Sequence, residues 1–312
     1  MFISKLNAYL EKVDPYYTQR LIARKGAYIA ILILLAYILF QPKQGFAYII
    51  APFLGYFIFE LPIYNTYKKK YSAIIYGYGS AIFFSSLFIL LSPNKIVLYT
   101  AGVICFFSFC YLTIKYLPQF KVLVMPFFLV SIAFVATEPA GSLQAMKSIA
   151  FAISLALLVI IIGYKTHQNI YLEVWYRALK ISIKRMEKNL QYLLNDEHIY
   201  YDPTVMVSIN TMAEYKRLIP RLNQINTAKI AVHTRSLNMT IIYLRSVEID
   251  KVYWQNLIIL LRKIIQCMDQ KIKFEQCREL ENLLKPESIH QKQGYKHLSI
   301  IIKNWNKICT QV

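Results

Sequence analysis

Residues 149–194 read IAFAISLALLVIIIGYKTHQNIYLEVWYRALKISIKRMEKNLQYLL, and the pattern changes partway through. From Ile149 to Tyr164 there is no charged residue. Beyond Tyr164 the apolar residues fall at Leu172, Trp175, Leu179, Ile183, Met186, Leu190 and Leu193, three or four apart, with Lys180, Lys184, Arg185 and Lys188 between them. The first half predicts a helix apolar on every side, and the second a helix with one apolar face. A last membrane span therefore runs on into a long amphipathic helix that ends near Asn195-Asp196.

The same contrast holds for the whole chain. Between Gly26 and Tyr164 there are 8 Lys, no Arg, and only Glu60 and Glu138 as acids; from Lys165 to Val312 there are 23 Lys+Arg and 13 Asp+Glu. The chain of 312 residues is 56% hydrophobic and 17% charged, against about a quarter charged in an ordinary soluble domain. A hydrophobic half thus precedes a polar one, which excludes disorder, a disulfide scaffold and a single soluble globule. The expected division is a cytoplasmic amphipathic segment over 1–25, a membrane domain over 26–164 and a cytoplasmic helical domain over 165–312.

Six apolar segments divide the first half: Tyr28–Phe40, Phe46–Tyr64, Ala73–Leu91, Ile96–Ile114, Val122–Val135 and Ile149–Tyr164. Several fall short of the roughly 20 residues that a straight span needs, and their flanks extend them. The charges between them alternate. Lys5, Lys12, Arg20, Arg24 and Lys25 precede the first segment, then come Lys43 alone, Lys68–Lys70, Lys95 alone, Lys115 with Lys121, and Lys147 alone. The positive-inside rule then places both termini in the cytoplasm of a bacterial inner membrane.

That arrangement also accounts for the formal charge of +19. Juxtamembrane Lys and Arg attract anionic lipid headgroups, and no zinc module, basic tract or Gly-rich RNA motif accompanies them, so membrane lipids are expected partners and nucleic acid is not. Phe2, Leu6, Tyr9, Leu10 and Val13 recur at helical spacing before Asp14-Pro15 and predict an interfacial anchor helix. In the polar half, Asp202-Pro203 reads as a helix start, with further helices over about Asn223–Arg245, after Asp250, and around Leu298–Ile308. The fold class is an all-α membrane protein: about six transmembrane helices followed by a cytoplasmic helical bundle.

Catalytic signatures are missing. There is no P-loop, G-x-S-x-G, kinase or H-E-x-x-H motif, and no His or Cys pair at metal spacing, so an enzyme, a cofactor and a metal are not expected. The five Cys read as buried or inert thiols. Glu60, near the cytoplasmic end of the second segment, is either a proton- or cation-binding group on a transport path or an interfacial carboxylate pairing with a nearby base. Glu138, at the external end of the fifth, is either part of an outer vestibule or a solvated loop residue. Pro52 and Pro126 each remove a backbone bond from a span; they mark either a substrate path or a kink absorbed by packing. Gly55, Gly77, Gly79 and Gly102 offer surfaces for close helix packing.

Six spans with both ends inside, a short basic N-terminal helix and a following cytoplasmic helical domain resemble the fusaric-acid-resistance (FUSC) and aromatic acid exporter family. The basic Thr66–Lys70 linker and the long helix after Tyr164 are placed as in that family. Many members begin the third span with Arg, then Gly-Thr and a further Gly, for which Lys70-Tyr-Ser-Ala-Ile-Ile-Tyr-Gly77 is a loose counterpart, so no site residue is carried over. Full-length members contain the block twice; this chain has it once. The resemblance implies a half-size efflux protein for aromatic or other organic acids, driven by the proton gradient and working as a homodimer. Lys68, Lys69, Lys70, Lys115 and Lys121 would gather the organic anion at the inner mouth. The competing reading is a non-transporting membrane scaffold whose helical domain binds a protein partner.

Overall fold

Asp14 sets where the first long helix begins. Its Oδ1 accepts from the backbone N–H of Thr18 at 2.8 Å and its Oδ2 from that of Arg20 at 3.0 Å, satisfying donors that a helix start leaves orphaned. Helix α1 therefore spans Thr18–Phe40, ten residues longer at its start than the apolar segment read from sequence. Arg20, Arg24 and Lys25 occupy its first two turns.

The protein is described here by a computed structural model covering residues 5, 9–10, 12–61, 63–64, 66–136, 141–166, 170–195, 202–219, 221–243, 251–274, 284 and 286–309. Among these residues there are α-helices and one 3₁₀ turn, and no strand. After α1 come α2 (Gly45–Glu60), α3 (Tyr67–Leu91), α4 (Lys95–Tyr116), the turn Pro118–Phe120, α5 (Lys121–Ala136) and α6 (Leu143–Thr166). Then follow α7 (Ile170–Leu194), α8 (Val205–Tyr215), α9 (Arg221–Tyr243), α10 (Lys251–Asp269) and α11 (Ile289–Cys309). The junction from the last apolar segment into the amphipathic helix lies outside the described residues. Contacts divide the chain into two units, residues 22–167 and residues 1–21 with 168–312.

Among the described residues, four helical stretches are long and apolar enough to cross a membrane: α1, α3, α4 and one that begins at Leu143. α2 and α5 are apolar but shorter, at 16 residues each. These lengths and compositions are compatible with a membrane location. Thr66 caps α3 by accepting from the Lys69 N–H, and Asn94 caps α4 by accepting from Ile96 and Val97. α3 is central and packs on α2, α5 and α6. Two glycines permit those approaches. A Cβ on Gly77 would lie 2.5 Å from the Phe127 ring, and one on Gly55 would lie 2.4 Å from Ile160 and 2.6 Å from the Tyr78 hydroxyl. The small residues thus serve packing inside the unit at Gly55 and Gly77, while Gly79 and Gly102 face open space. Helices α2 and α5 continue through Pro52 and Pro126.

The helix ends gather in two sets. Tyr64 Oη donates to the Gln119 carbonyl at 3.2 Å, so the connection before α3 and the one after α4 lie together. At the other end the Gly141 N–H donates to the Ile89 carbonyl and to Ser92 Oγ, both at 3.1 Å. Lys68–Lys70 and Lys121 belong to the first set, and Lys95 to the second.

The other unit is a helical bundle whose core joins Trp175, Leu179, Met186, Leu257, Leu261 and Trp305. α7 packs on α8 and α10, and α9 on α11. Of the apolar positions read for α7, those from Trp175 to Leu193 are buried and Leu172 is half-buried. α8 begins at Val205, with the Asp202 carboxylate accepting from the Thr204 N–H at 2.9 Å just ahead of it. Part of the N-terminal segment belongs to this bundle. Tyr16 Oη shares a 2.9 Å hydrogen bond with Ser208 Oγ, Arg185 Nη1 reaches both groups, and the Arg177 guanidinium lies 4.4 Å from the centre of the Tyr17 ring. Of the amphipathic stripe ahead of Asp14, Phe2 and Leu6 lie outside the described residues, while Tyr9 and Val13 are exposed.

Candidate functional site

On α1 the inward-facing positions are Leu21, Lys25, Ile29 and Ala36, a four-residue spacing with one exception, and Lys25 is on it. On α3 the buried row is Lys70, Ala73, Ile74, Gly77, Tyr78 and Ala81, and it starts with a lysine. Helical periodicity thus carries two cations into the apolar unit: Lys25 is 1% exposed and Lys70 4%. Lysines are almost never buried so completely without partners of high quality.

Aromatic rings form the walls around them. Phe59, in the last turn of α2, and Tyr164, near the end of α6, stack with centroids 3.4 Å apart and planes 8° from parallel. Lys25 Nζ lies 5.0 Å from the Phe59 centroid and 5.4 Å from that of Tyr164. Lys70 Nζ lies 4.7 Å from the Phe59 centroid and donates to the Phe59 carbonyl. Tyr67 closes on Phe59 from one turn before Lys70, 5.8 Å between centroids. A ring face is electron-rich, and a desolvated ammonium over it gains about 2 kcal/mol or more. Four helices thus converge on one cage of two ammoniums and a stacked aromatic pair, at the lysine-rich end of the unit. Lys25, Lys70 and Tyr164 have further partners besides these rings, so the cage is a closed knot of cations and aromatic faces.

The residues singled out by sequence are distributed differently. Of the five inner-mouth lysines, the structure places Lys70 in the cage, leaves Lys68, Lys69 and Lys121 exposed, and holds Lys115 over the rings of Tyr111 and Tyr116. Glu60 ends α2 immediately after Phe59, but its side chain lies outside the described residues, as does Glu138 altogether. Pro52 sits on α2 two turns before Phe59, near the carbonyl of Ala51 that accepts from Tyr78 Oη. Pro126 is on α5, which contributes none of the cage residues named above. Lys25, Phe59 and Tyr164 were missed by sequence reasoning. For Lys25 alone a signal was available, a lysine in register with an apolar helical stripe.

No protein-family model, curated protein or solved structure matches this chain. The site is therefore read from its own chemistry.

Polar groups elsewhere in the unit are few. Ser131 Oγ donates to the Phe127 carbonyl at 2.7 Å, Ser80 Oγ to that of Gly77 at 2.8 Å, and Thr113 bonds Tyr76. Ser85 Oγ is buried with no partner among the described residues. No group of three His, Cys, Asp or Glu suited to a metal ion occurs among the described residues. In the other unit, His233 and His297 face each other across α9 and α11 with Nδ1 atoms 3.0 Å apart. Burial lowers the pKa of both; Lys296 and Lys229 act in the same direction on His233, and the His233 ring and Lys296 on His297.

Proposed function

We propose that this protein is a six-span membrane transport protein for organic acids, with both termini in the cytoplasm of a bacterial inner membrane. The caged pair Lys25 and Lys70 carries this reading. Two ammoniums held out of water in an apolar unit are costly, and by default such groups belong to a substrate or ion path. Aromatic walls beside them suit an aromatic carboxylate, the substrate class that the resemblance to the FUSC and aromatic acid exporter family implies. The gathering of Lys68–Lys70 and Lys121 at one end of the unit, away from Lys95, supports the orientation by the positive-inside rule. Assembly as a homodimer rests on the resemblance alone, and coupling to protons falls to Glu60, next to Phe59 in sequence.

The scaffold reading has an observation of its own. The hydroxyls of Ser80, Thr113 and Ser131 are occupied by bonds within the unit, which leaves these three groups engaged rather than lining a path. A deletion strain challenged with a panel of aromatic and aliphatic acids separates the two. The transport reading predicts hypersensitivity to at least one acid, rescued by the wild type and not by Lys70→Gln at equal expression. Rescue by Lys70→Gln removes the cage from the mechanism, and no sensitivity across the panel favours the scaffold.

A further inference from the structure

Helix α4 is the least covered of the apolar helices, and a groove runs along it against α3 and α5. The groove encloses about 550 Å³, within the range of small-molecule sites. Its floor is aromatic: Phe106 lies 4.8 Å and Phe88 5.5 Å from Phe128, centroid to centroid. Its polar groups are confined to one end, where Ser92 and Lys95 meet and Tyr99 follows one turn later. Lys95 is the only charged residue of the lining and is exposed. Ser92 donates to the Ile89 carbonyl and accepts from the Gly141 N–H, which fixes that end of the groove. Gly102, halfway along, keeps the groove open, because nothing lies within 4 Å of where its Cβ would be.

The length of the groove and the order of its lining groups point to the occupant. From Lys95 to Phe107 α4 rises about 18 Å at 1.5 Å per residue, close to half the roughly 30 Å hydrocarbon layer. A slot one leaflet deep, apolar along its length and cationic only at one end, suits a hydrocarbon chain with an anionic head. We propose that this groove seats one acyl chain of an anionic membrane phospholipid, with the headgroup phosphate held at Lys95. A cation at the headgroup level, an aromatic ring one turn deeper and an apolar slot one leaflet deep match the order of groups along such a lipid. The inference rests on the membrane reading of this unit.

The test uses the full chain in vesicles of phosphatidylglycerol and phosphatidylcholine, with the acyl chains of one or the other brominated at equal mole fraction. The native Trp175, Trp254 and Trp305 belong to the other unit, so their signal is subtracted from that of two reporters, Phe107→Trp in the groove and Ile104→Trp, exposed on α4 outside its lining. Brominated phosphatidylglycerol is expected to quench Phe107→Trp with about fivefold preference over brominated phosphatidylcholine. Ile104→Trp should be quenched by both alike, and Lys95→Gln should abolish the preference at Phe107→Trp. Equal quenching of Phe107→Trp by both lipids overturns the proposal, as does a preference that survives Lys95→Gln. Quenching of Ile104→Trp without quenching of Phe107→Trp means that protein, such as a second copy, covers the groove, and also overturns it. If neither reporter is quenched, the membrane reading itself fails.

Discussion

A lysine on an apolar helical stripe has two outcomes: its stem lies along the protein while the head reaches water, or the whole side chain is enclosed. Lys68 and Lys69 take the first course and Lys25 and Lys70 the second. If the enclosed pair binds the substrate carboxylate, Lys70→Gln removes a charge-assisted hydrogen bond, and organic-acid efflux should fall about tenfold or more. Lys68→Gln and Lys69→Gln should leave efflux near the wild-type value in the same assay. In the sequence Lys25 was visible only as a topology charge and Lys70 only as one of five inner-mouth lysines, because loop-by-loop counting ignores which helical face a residue occupies. Glu60 stood out in sequence as an acid in an apolar run, whereas Phe59 beside it carried no signal until α2, α3 and α6 converged on it.

His233 and His297 set the pH response of the bundle. Their folded pKa values lie below the ordinary 6.5, first by burial and then by the adjacent cations. The unfolded chain therefore takes up protons first as pH falls, so the stability these groups support is complete above about 6.5 and is lost as pH drops toward the folded values. Thermal unfolding followed by Trp fluorescence should shift down between about pH 7.5 and about pH 5. His233→Gln should flatten that dependence, whatever it does to stability at neutral pH. Asp14 and Asp202 act in a lower window. Burial raises both, but hydrogen bonds from Thr18 and Arg20 to one and from Thr204 to the other prevail, and the guanidiniums of Arg20 and Arg185 reinforce them. Their contribution persists until pH falls through the carboxylate range.

At the scale of helices, periodicity located the elements well and their starts less well. α7 ends within a residue of where its pattern stops, since the amphipathic stripe ends with the helix. α1 starts well ahead of its apolar run because the Asp14 carboxylate satisfies the first N–H groups, a capping effect that hydropathy does not register. The roles of the glycines also needed three dimensions. Gly77 and Gly79 look alike in sequence, yet only Gly77 faces a ring. Gly77→Ala should cost about 1–3 kcal/mol through overpacking against Phe127, whereas Gly79→Ala should leave the thermal midpoint in detergent unchanged or higher. In the bundle, Tyr16→Phe deletes the hydroxyl shared with Ser208 and Arg185 and should lower stability by about 1 kcal/mol in urea unfolding. An unchanged midpoint would mean that the segment around Tyr16 is held by the Tyr17 ring and Asp14 instead.

For the molecule as a whole, the sequence divides into an apolar half and a polar half because their composition differs so sharply, and both are helical. What composition could not reveal is that the first residues belong with the polar half, through Tyr16 and Tyr17, since those contacts join positions more than 150 residues apart. The caged lysine pair gives the apolar unit a chemistry that a purely structural membrane anchor does not require. The most direct measurement is flux of radiolabelled benzoate into proteoliposomes holding the wild-type protein or the Lys25→Gln/Lys70→Gln double variant, with insertion and orientation matched. The account predicts saturable flux above empty liposomes for the wild type and its loss in the double variant. Flux indistinguishable from empty liposomes for benzoate and a panel of other organic acids, or flux undiminished in the double variant, would contradict it.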